Sequence, residues 1–203
     1  MREIYLDNSA TTQVARPVAD AVYEMMVDCY GNPSSLHRKG LLAENRISAA
    51  RKSIAKLIDC DPSELTFTSG GTEADNWAIF GTAKRFGKKN RHIITTAIEH
   101  HAILNCMKEL EAQGFEVTYL QPDESGTVTL AALREALRPD TILVSIMMVN
   151  NEVGSVMPIE KMAKLTHKVC PDAIFHTDAV QGFLKVPFAA KTLGADLITV
   201  SSH

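Results

Sequence analysis

Helical and strand-like segments alternate along almost the whole chain, and this alternation constrains the fold more than any other feature of the sequence. Apolar residues recur at helical spacing between Pro17 and Cys29, whereas the run from Ile142 to Val149 is almost continuously apolar. A short apolar run of that kind is typical of a parallel strand buried on both faces. The alternation therefore predicts an α/β fold, a three-layer sandwich in which helices cover both faces of a mostly parallel central sheet.

The same pattern sets approximate bounds for each element. We expect helices at 17–29, 40–58, 72–86, 102–113, 130–137, 159–169 and 188–193. We expect strands at 65–68, 92–96, 116–120, 141–149, 173–177 and 196–201. Neither a repeat nor a linker interrupts the series.

Composition argues against several classes of function. The 203 residues carry a net charge of -3, and the Lys and Arg runs are too short to neutralise a row of phosphates, so we expect neither nucleic acid nor membrane as partner. Residues 1–7 contain no apolar signal core, and we expect no secretion. The cysteines form no CxxC pair, which argues against a metal site or disulfides and favours a cytoplasmic location: Cys29, Cys60, Cys106 and Cys170.

A polar, glycine-containing segment, Thr68–Glu73, lies between a predicted strand and a predicted helix. Paired glycines allow a backbone to approach a phosphate closely, and the first turn of a helix presents unpaired N–H groups to it. Thr72 can add a hydroxyl donor. The segment contains neither a GxGxxG nor a GxxxxGK[ST] motif, so a nucleotide ligand is disfavoured. Taken alone, the segment also fits a simple helix cap.

Three further polar clusters follow predicted strands, where the ligands of open α/β sheets collect. His100 can stack on a flat ligand, move protons near neutral pH, or play a structural part only. The pair Asn150-Asn151 follows the most apolar strand, where each buried amide needs a partner, and one of the two is expected to face a ligand. Asp178 needs a cationic partner if it is buried, and a protonated pyridine nitrogen would supply one.

Together these clusters resemble the cysteine desulfurases of the NifS/IscS type, which belong to the class V aminotransferase branch of the fold type I pyridoxal-phosphate (PLP) enzymes. The resemblance covers essentially the whole chain and rests on six motifs in the family's order. They are Tyr5–Thr12, Gly31–His37, Phe67–Glu73, Glu99-His100, Asn150–Gly154 and Asp178–Gln181.

The resemblance implies a role for each residue that matches a family motif. His100 matches the histidine that stacks on the PLP ring and acts in acid–base steps. Asp178 matches the carboxylate that pairs with the pyridinium nitrogen, and Gln181 matches the donor to the phenolic oxygen. Asn151 matches an asparagine that contacts substrate and cofactor. The other expected cofactor-binding residues are Gly71, Thr72, Ser201, Ser202 and His203.

The resemblance also implies an activity. Cysteine desulfurases take sulfur from L-cysteine, giving alanine and an enzyme persulfide that feeds iron–sulfur cluster or thiocofactor assembly. We therefore expect a PLP-dependent homodimer that passes sulfur to a scaffold or other acceptor protein. Family chains are about twice as long; they place the PLP lysine directly after the position of His203 and the catalytic cysteine further on. Chain 1–203 alone is accordingly expected to be inactive.

The family also suggests a domain organisation and leaves alternatives open. Residues 1–15 are expected to form an arm that belongs with the small domain, and 16–203 the first part of the PLP-binding large domain. A selenocysteine lyase or another class V aminotransferase would carry the same motifs. A non-catalytic fragment that keeps the fold is a further alternative.

Overall fold

The structure, a computed structural model, describes residues 4–88 and 91–202. The chain divides into two compact units, one that ends at Thr66 and one that runs from Phe67 to Ser202. The arm at residues 1–15 remains a prediction. Among the helices of the described ranges, none is long and apolar enough to cross a membrane.

The first unit is helical. Helix α1 is Arg16–Val27, and α2 is Arg38–Ile58. Helix α2 begins where His37 Nδ1 accepts a backbone N–H of the first turn at 3.4 Å, and it ends at Asp59, whose positive φ of 55° cannot continue a helix. One 3₁₀ turn, Pro62–Glu64, follows. Helix α1, which is described throughout, buries none of its side chains.

The second unit is built on a sheet whose five strands, counted within residues 67–88 and 91–202, all run parallel. The strands are β1 His92–Thr96, β2 Glu116–Leu120, β3 Thr141–Ser145, β4 Ile174–Asp178 and β5 Leu197–Thr199. They lie side by side in the order β2-β1-β3-β4-β5. Every residue of β1 and β3 is buried, as expected for central parallel strands.

Helices cover both faces of this sheet, and the predicted α/β class is confirmed. They are α3 Gly71–Phe86, α4 His101–Ala112, α5 Leu130–Ala136, α6 Ile159–Val169 and α7 Ala190–Leu193. Successive strand side chains point to opposite faces, so Ile93 and Leu143 pack with α3 and α4. Ile94, Val144 and Phe175 pack with α5, α6 and α7. Each fully buried side chain of this size stabilises the fold by about 1.5–3 kcal/mol.

Four predicted strands differ from the observed ones, and two of them, predicted at 173–177 and 196–201, differ only in their bounds. Residues 65–68 form no strand, and that prediction is wrong: the carbonyl of Leu65 accepts from the Arg51 guanidinium instead of from a neighbouring strand. The strand predicted at 141–149 ends at Ser145, because the Met147 N–H donates to Glu99 Oε1 at 2.9 Å rather than to β1. The strands predicted at 92–96 and 116–120 have the predicted bounds.

Candidate functional site

The carboxyl ends of the parallel strands form one edge of the sheet, here called the carboxyl-terminal edge. Four neighbouring strands, β1, β3, β4 and β5, end there at Thr96, Ser145, Asp178 and Thr199. The predicted site residues follow these ends: His100 after β1, Asn151 after β3 and Ser201 after β5. The edge lies within the second unit, and it is where open α/β sheets bind ligands.

The N-terminus of α3 reaches this edge through the loop after β4. A Cβ added to Gly71 would lie 3.0 Å from Val180 Cγ2, so a larger residue would press against that loop. The N–H of Val180 donates to Asp178 Oδ1 at 2.9 Å. Val180 therefore contacts both the glycine at the start of the helix and the aspartate at the end of β4.

The first turn of α3 has the arrangement of an anion-binding helix N-terminus. Its first helical hydrogen bond runs from the Ala74 N–H to the Gly70 carbonyl at 3.2 Å, so the earlier N–H groups point out of the helix end. Glu73 Oε2 accepts from the Ser69 N–H at 2.5 Å, and this hydrogen bond holds the pKa of Glu73 below its usual value. Thr72 is exposed, so its hydroxyl lies at the surface of this turn.

Asp178 is buried, with 6% of its surface exposed. Its carbonyl accepts from the Met148 N–H at 2.7 Å, and it pairs in register with Thr199 of β5. Phe175 packs with α5, α6 and α7, and strand residues alternate between faces, so Asp178 points to the face that α3 and α4 cover. The carboxylate therefore lies under the same helix whose N-terminus has the geometry of an anion-binding turn.

The two asparagines after β3 have different environments. Asn150 is buried and its amide is fully engaged: Nδ2 donates to the Ile98 carbonyl at 2.9 Å, and Oδ1 accepts from the N–H groups of Glu152 and Val153, both at 2.9 Å. Asn151 is only half-buried. Asn150 fixes the loop, and Asn151 is the better candidate for contact with a ligand.

His100 is exposed and caps α4. Its Nδ1 accepts from the Ala102 N–H at 3.1 Å, so the neutral ring carries its proton on Nε2. The ring of His101 lies 6.2 Å away, centroid to centroid, and is tilted by 56°. His100 is thus held by Nδ1, and its Nε2 takes no part in the helix cap.

The remaining predicted residues lie after β4 and β5. Gln181 is half-buried, and its Oε1 accepts from Lys185 Nζ at 2.9 Å. Ser201 is half-buried and Ser202 is exposed. His203 lies outside the described residues.

Two buried carboxyls that the sequence did not single out as site residues also lie at this edge. Glu99 Oε1 accepts from Thr96 Oγ1 at 2.7 Å and from the Met147 N–H at 2.9 Å, while Oε2 meets no hydrogen-bond partner in the described part of the chain. Burial, only partly offset by those hydrogen bonds, raises the pKa of Glu99 to about 8. Asp75, on α3, is 1% exposed, and burial together with the charge of Asp178 raises its pKa.

A buried histidine, His176, lies beside Asp75. His176 Nδ1 hydrogen-bonds with Ser145 Oγ at 2.9 Å, and Nε2 with Thr199 Oγ1 at 3.0 Å. Asp75 Oδ1 lies 3.7 Å from the same Nε2. Burial lowers the pKa of His176 to about 4, so the ring is neutral and does not balance the carboxyl charge. The signal in the sequence was the spacing: Asp75 comes four residues after Gly71, on the same face of α3.

Metal ligation and reactive thiols are not supported by the geometry. Across residues 4–88 and 91–202, the His, Cys, Asp and Glu side chains form no group of three or more that could hold a metal ion. The four cysteines, all within the described residues, form no disulfide with one another. Cys106 donates to the Ala102 carbonyl at 3.0 Å, and burial raises the pKa of its thiol to about 11.

Comparison with known sequences finds one family along nearly the whole chain. The profile described as "Aminotransferase class-V" matches residues 4–203. A cysteine desulfurase IscS from Methanosarcina thermophila is 46% identical over 202 residues, which are 100% of this chain and 50% of that protein. A putative cysteine desulfurase, IscS 1, from Bacillus subtilis is 47% identical over 205 residues, 100% of this chain and 53% of that protein. The chain thus spans about half the length of these curated relatives.

Solved structures agree with the sequence comparison. A protein described as NifS-like superposes with a TM-score of 0.97 at 40% identity, over 100% of this chain and 55% of that one. SspA, solved in complex with cysteine, gives a TM-score of 0.94 at 39% identity, over 98% of this chain and 57% of that one. These identities are high enough that the likeness concerns sequence motifs as well as fold.

Proposed function

The chain belongs to the class-V aminotransferase family, and from this premise we propose that the full-length protein is a PLP-dependent cysteine desulfurase. The proposal covers removal of sulfur from L-cysteine to give alanine and a persulfide on a cysteine of the enzyme. Support comes from relatives called cysteine desulfurases at 46% and 47% identity. The cysteine found with SspA, 39% identical to this chain, supports cysteine as the substrate.

One observation carries the choice of cofactor. Val180 lies against Gly71, where an added Cβ would meet it at 3.0 Å, and donates to Asp178 Oδ1 at 2.9 Å. Val180 therefore lies between a helix N-terminus suited to an anion and a buried carboxylate suited to a cation. PLP carries both groups on one ring, a protonatable ring nitrogen and a phosphate held on a side chain of the ring, and the residues present fit it.

The proposed roles follow from these positions. The N-terminus of α3, with Gly71 and Thr72, would bind the phosphate, helped by Ser201, Ser202 and His203. Asp178 would hold a proton on the ring nitrogen, and His100, whose Nε2 is not engaged by the helix cap, would stack on the ring. When bound, PLP supplies an electron sink for bonds at the substrate Cα.

The chain's own side chains would then place and move protons. His100 Nε2 carries the exchangeable proton of the ring and would exchange it with the substrate. Asn151 would donate to substrate and cofactor, and Gln181 to the phenolic oxygen. Asn150 holds the loop that carries Asn151 in place through the Ile98 carbonyl.

The oligomer, partner and location are further parts of the proposal. We propose a homodimer that passes persulfide sulfur to an iron–sulfur scaffold or another acceptor protein, because relatives of the IscS type are the ones matched. The free thiols among the described residues favour the cytoplasm. Residues 1–15 are proposed to belong with the small domain, and 16–203 with the PLP-binding large domain.

The test uses the full-length protein, purified and reconstituted with PLP. We expect visible absorption from the bound cofactor and equal amounts of alanine and sulfide from L-cysteine in the presence of a thiol reductant. Borohydride reduction and peptide mapping should place the cofactor on the residue after His203. Alanine and selenide from selenocysteine, with no product from cysteine, would identify the lyase alternative; absence of PLP binding would contradict the proposal.

A further inference from the structure

Asp75 lies on the face of α3 that covers Asp178, and the proposed function assigns it no part. We propose that Asp75 is a positioning residue that acts through Asp178: the two carboxyls share one proton in the empty site, and the pair releases that proton to solvent when a cationic ring nitrogen binds against Asp178. The O–H bond of Asp75 breaks and its proton passes to the buffer. The inference rests on the proposed cofactor, but its first test does not.

Two contacts with the strands beneath α3 position Asp75. Its Oδ1 lies 3.7 Å from His176 Nε2, and its carboxyl hydrogen-bonds with the Thr199 hydroxyl. Thr199 pairs in register with Asp178, and His176 comes two residues before Asp178 on the same face of β4. The strand geometry therefore sets the two carboxyls next to each other under α3. With 1% of its surface exposed, Asp75 is shielded from bulk solvent, which therefore screens the pair only weakly.

The groups that face Asp75 supply no balancing cation. His176 is kept neutral, since burial lowers its pKa to about 4, and the Cys106 thiol of α4 is neutral because burial raises its pKa to about 11. Glu99, after β1, adds a further carboxyl. Asp75 Oδ1 itself has no hydrogen-bond partner among the described residues. These are the titratable neighbours from β4, α4 and the loop after β1.

Ionising both carboxyls of one buried site is unfavourable in free energy. Burial first, and then the charge of Asp178, raise the pKa of Asp75, while the hydrogen bond from Thr199 opposes the shift. A cation bound at Asp178 cancels the second of these effects. By linkage, a ligand that favours ionised Asp75 binds more tightly where Asp75 is ionised. Affinity for the cationic ring should therefore rise with pH in a way that depends on Asp75.

The first test measures unfolding of the full-length apoprotein and of the variants Asp75→Asn, Asp178→Asn and the double variant. At about pH 9 each single amide should raise the unfolding midpoint relative to wild type, and the double variant should gain less than the sum, since each removes the same repulsion. At about pH 6 Asp75→Asn should match wild type, because the amide has the shape of the protonated carboxyl. Additive effects at both pH values, or an unfolded Asp75→Asn protein at pH 6, would overturn the proposal.

The second test titrates PLP into the same apoproteins. The ratio of wild-type affinity to Asp75→Asn affinity should grow at least about fivefold from about pH 6 to about pH 9, and wild type should release more protons on binding than the variant. Asp172→Asn, an exposed carboxyl before the start of β4, is the matched control and should leave the ratio constant. A ratio that does not change with pH would contradict the proposed role of Asp75 but would not contradict the proposed cofactor. Failure of wild type to bind PLP sinks the proposed function, while the unfolding cycle still decides whether the carboxyls are coupled.

Discussion

A buried histidine bridges neighbouring strands near each of the two edges of the sheet, but its surroundings differ between the two. At the amino-terminal edge, His92 of β1 bridges its two neighbouring strands, with Nδ1 2.7 Å from Thr141 Oγ1 and Nε2 2.9 Å from Thr118 Oγ1. At the carboxyl-terminal edge, His176 of β4 bridges its two neighbours in the same way, through the hydroxyls of Ser145 and Thr199. Both rings are fully buried, and burial lowers the pKa of both.

The charges around the two histidines differ. Near His92, Arg138 binds Glu116 Oε2 at 2.9 Å and Asp140 Oδ2 at 2.8 Å, so each charge has a partner, and the pKa of both carboxyls is lowered. Near His176, Asp75 and Glu99 form no ion pair with a Lys or Arg of the described residues, and the pKa of both is raised. The charges near His92 are therefore paired within the protein, whereas Asp75 and Glu99 stay uncharged by keeping their protons up to about pH 8.

The largest effect is expected from a substitution at the carboxyl-terminal edge. Asp178→Asn in the full-length enzyme should keep the fold but lower alanine production from cysteine at least about 100-fold, a cost on the order of 3 kcal/mol, because an amide cannot hold the ring nitrogen protonated. Asp196→Asn is the matched control: its Oδ2 accepts from the Phe175 N–H at 2.7 Å near the amino-terminal edge, and an amide oxygen can do the same. Near-normal turnover in Asp178→Asn would contradict the assigned role.

The second prediction compares the two histidines directly. His92→Leu and His176→Leu each leave two hydroxyls without the ring nitrogen to which they were hydrogen-bonded. Each should therefore lower the free energy of unfolding by about 2–4 kcal/mol in chemical denaturation. Only His176→Leu should also weaken PLP binding, measured by titration of the folded protein. Equal PLP affinity in the two variants would show that the edges do not differ in function.

The third prediction concerns pH. The folded-state pKa of Glu99, about 8, lies above its ordinary value of 4.5, so its stabilising contribution is complete below pH 4.5 and is lost as pH rises through about 8. Glu99→Gln should therefore match wild type in acid and exceed it in alkali, as read from unfolding midpoints. Glu116→Gln should show the opposite sign, losing stability above pH 4.5, because its folded-state pKa is lowered by Arg138. Stability changes of the same sign in both variants would contradict the predicted difference between the two edges.

The smallest effect is expected at the amino-terminal edge. Arg138→Lys loses the two-pronged contact with Glu116 but keeps the positive charge, and exposed ion pairs contribute little. The unfolding midpoint should fall by less than in either histidine variant, with PLP affinity unchanged. A loss as large as that of His92→Leu would mean that this ion-pair cluster supports the edge.

The sheet could be predicted because its strands carry a strong local signal. The patterns of β1 and β2 gave correct bounds, and the order of polar clusters placed His100 and Asn151 after strand ends; Asp178, predicted to follow its strand, is the last residue of β4. The strand at 65–68 failed because its partner is a side chain, Arg51, distant in sequence. Local periodicity cannot report such a contact.

The buried carboxyls could not be predicted for a related reason. The spacing places Asp75 on the same face of α3 as Gly71, but only the packing of α3 on the sheet shows that this face is buried and that Asp75 lies near Asp178. The division of labour between Asn150 and Asn151 is equally invisible in the sequence. It depends on whether the Ile98 carbonyl, 52 residues away, is within reach.

The strand order has a consequence for protein synthesis. As the chain leaves the ribosome, each new strand can pair with one that has already been synthesised. Strands β2 and β3 pair with β1, β4 pairs with β3, and β5 pairs with β4. Parallel pairing is usually slow because it joins distant segments, but here the nascent sheet can grow outward one strand at a time. Asp178 and Thr199 emerge with the last two described strands, so the part of the core around β1, β2 and β3 can be packed before translation delivers these two residues of the carboxyl-terminal edge.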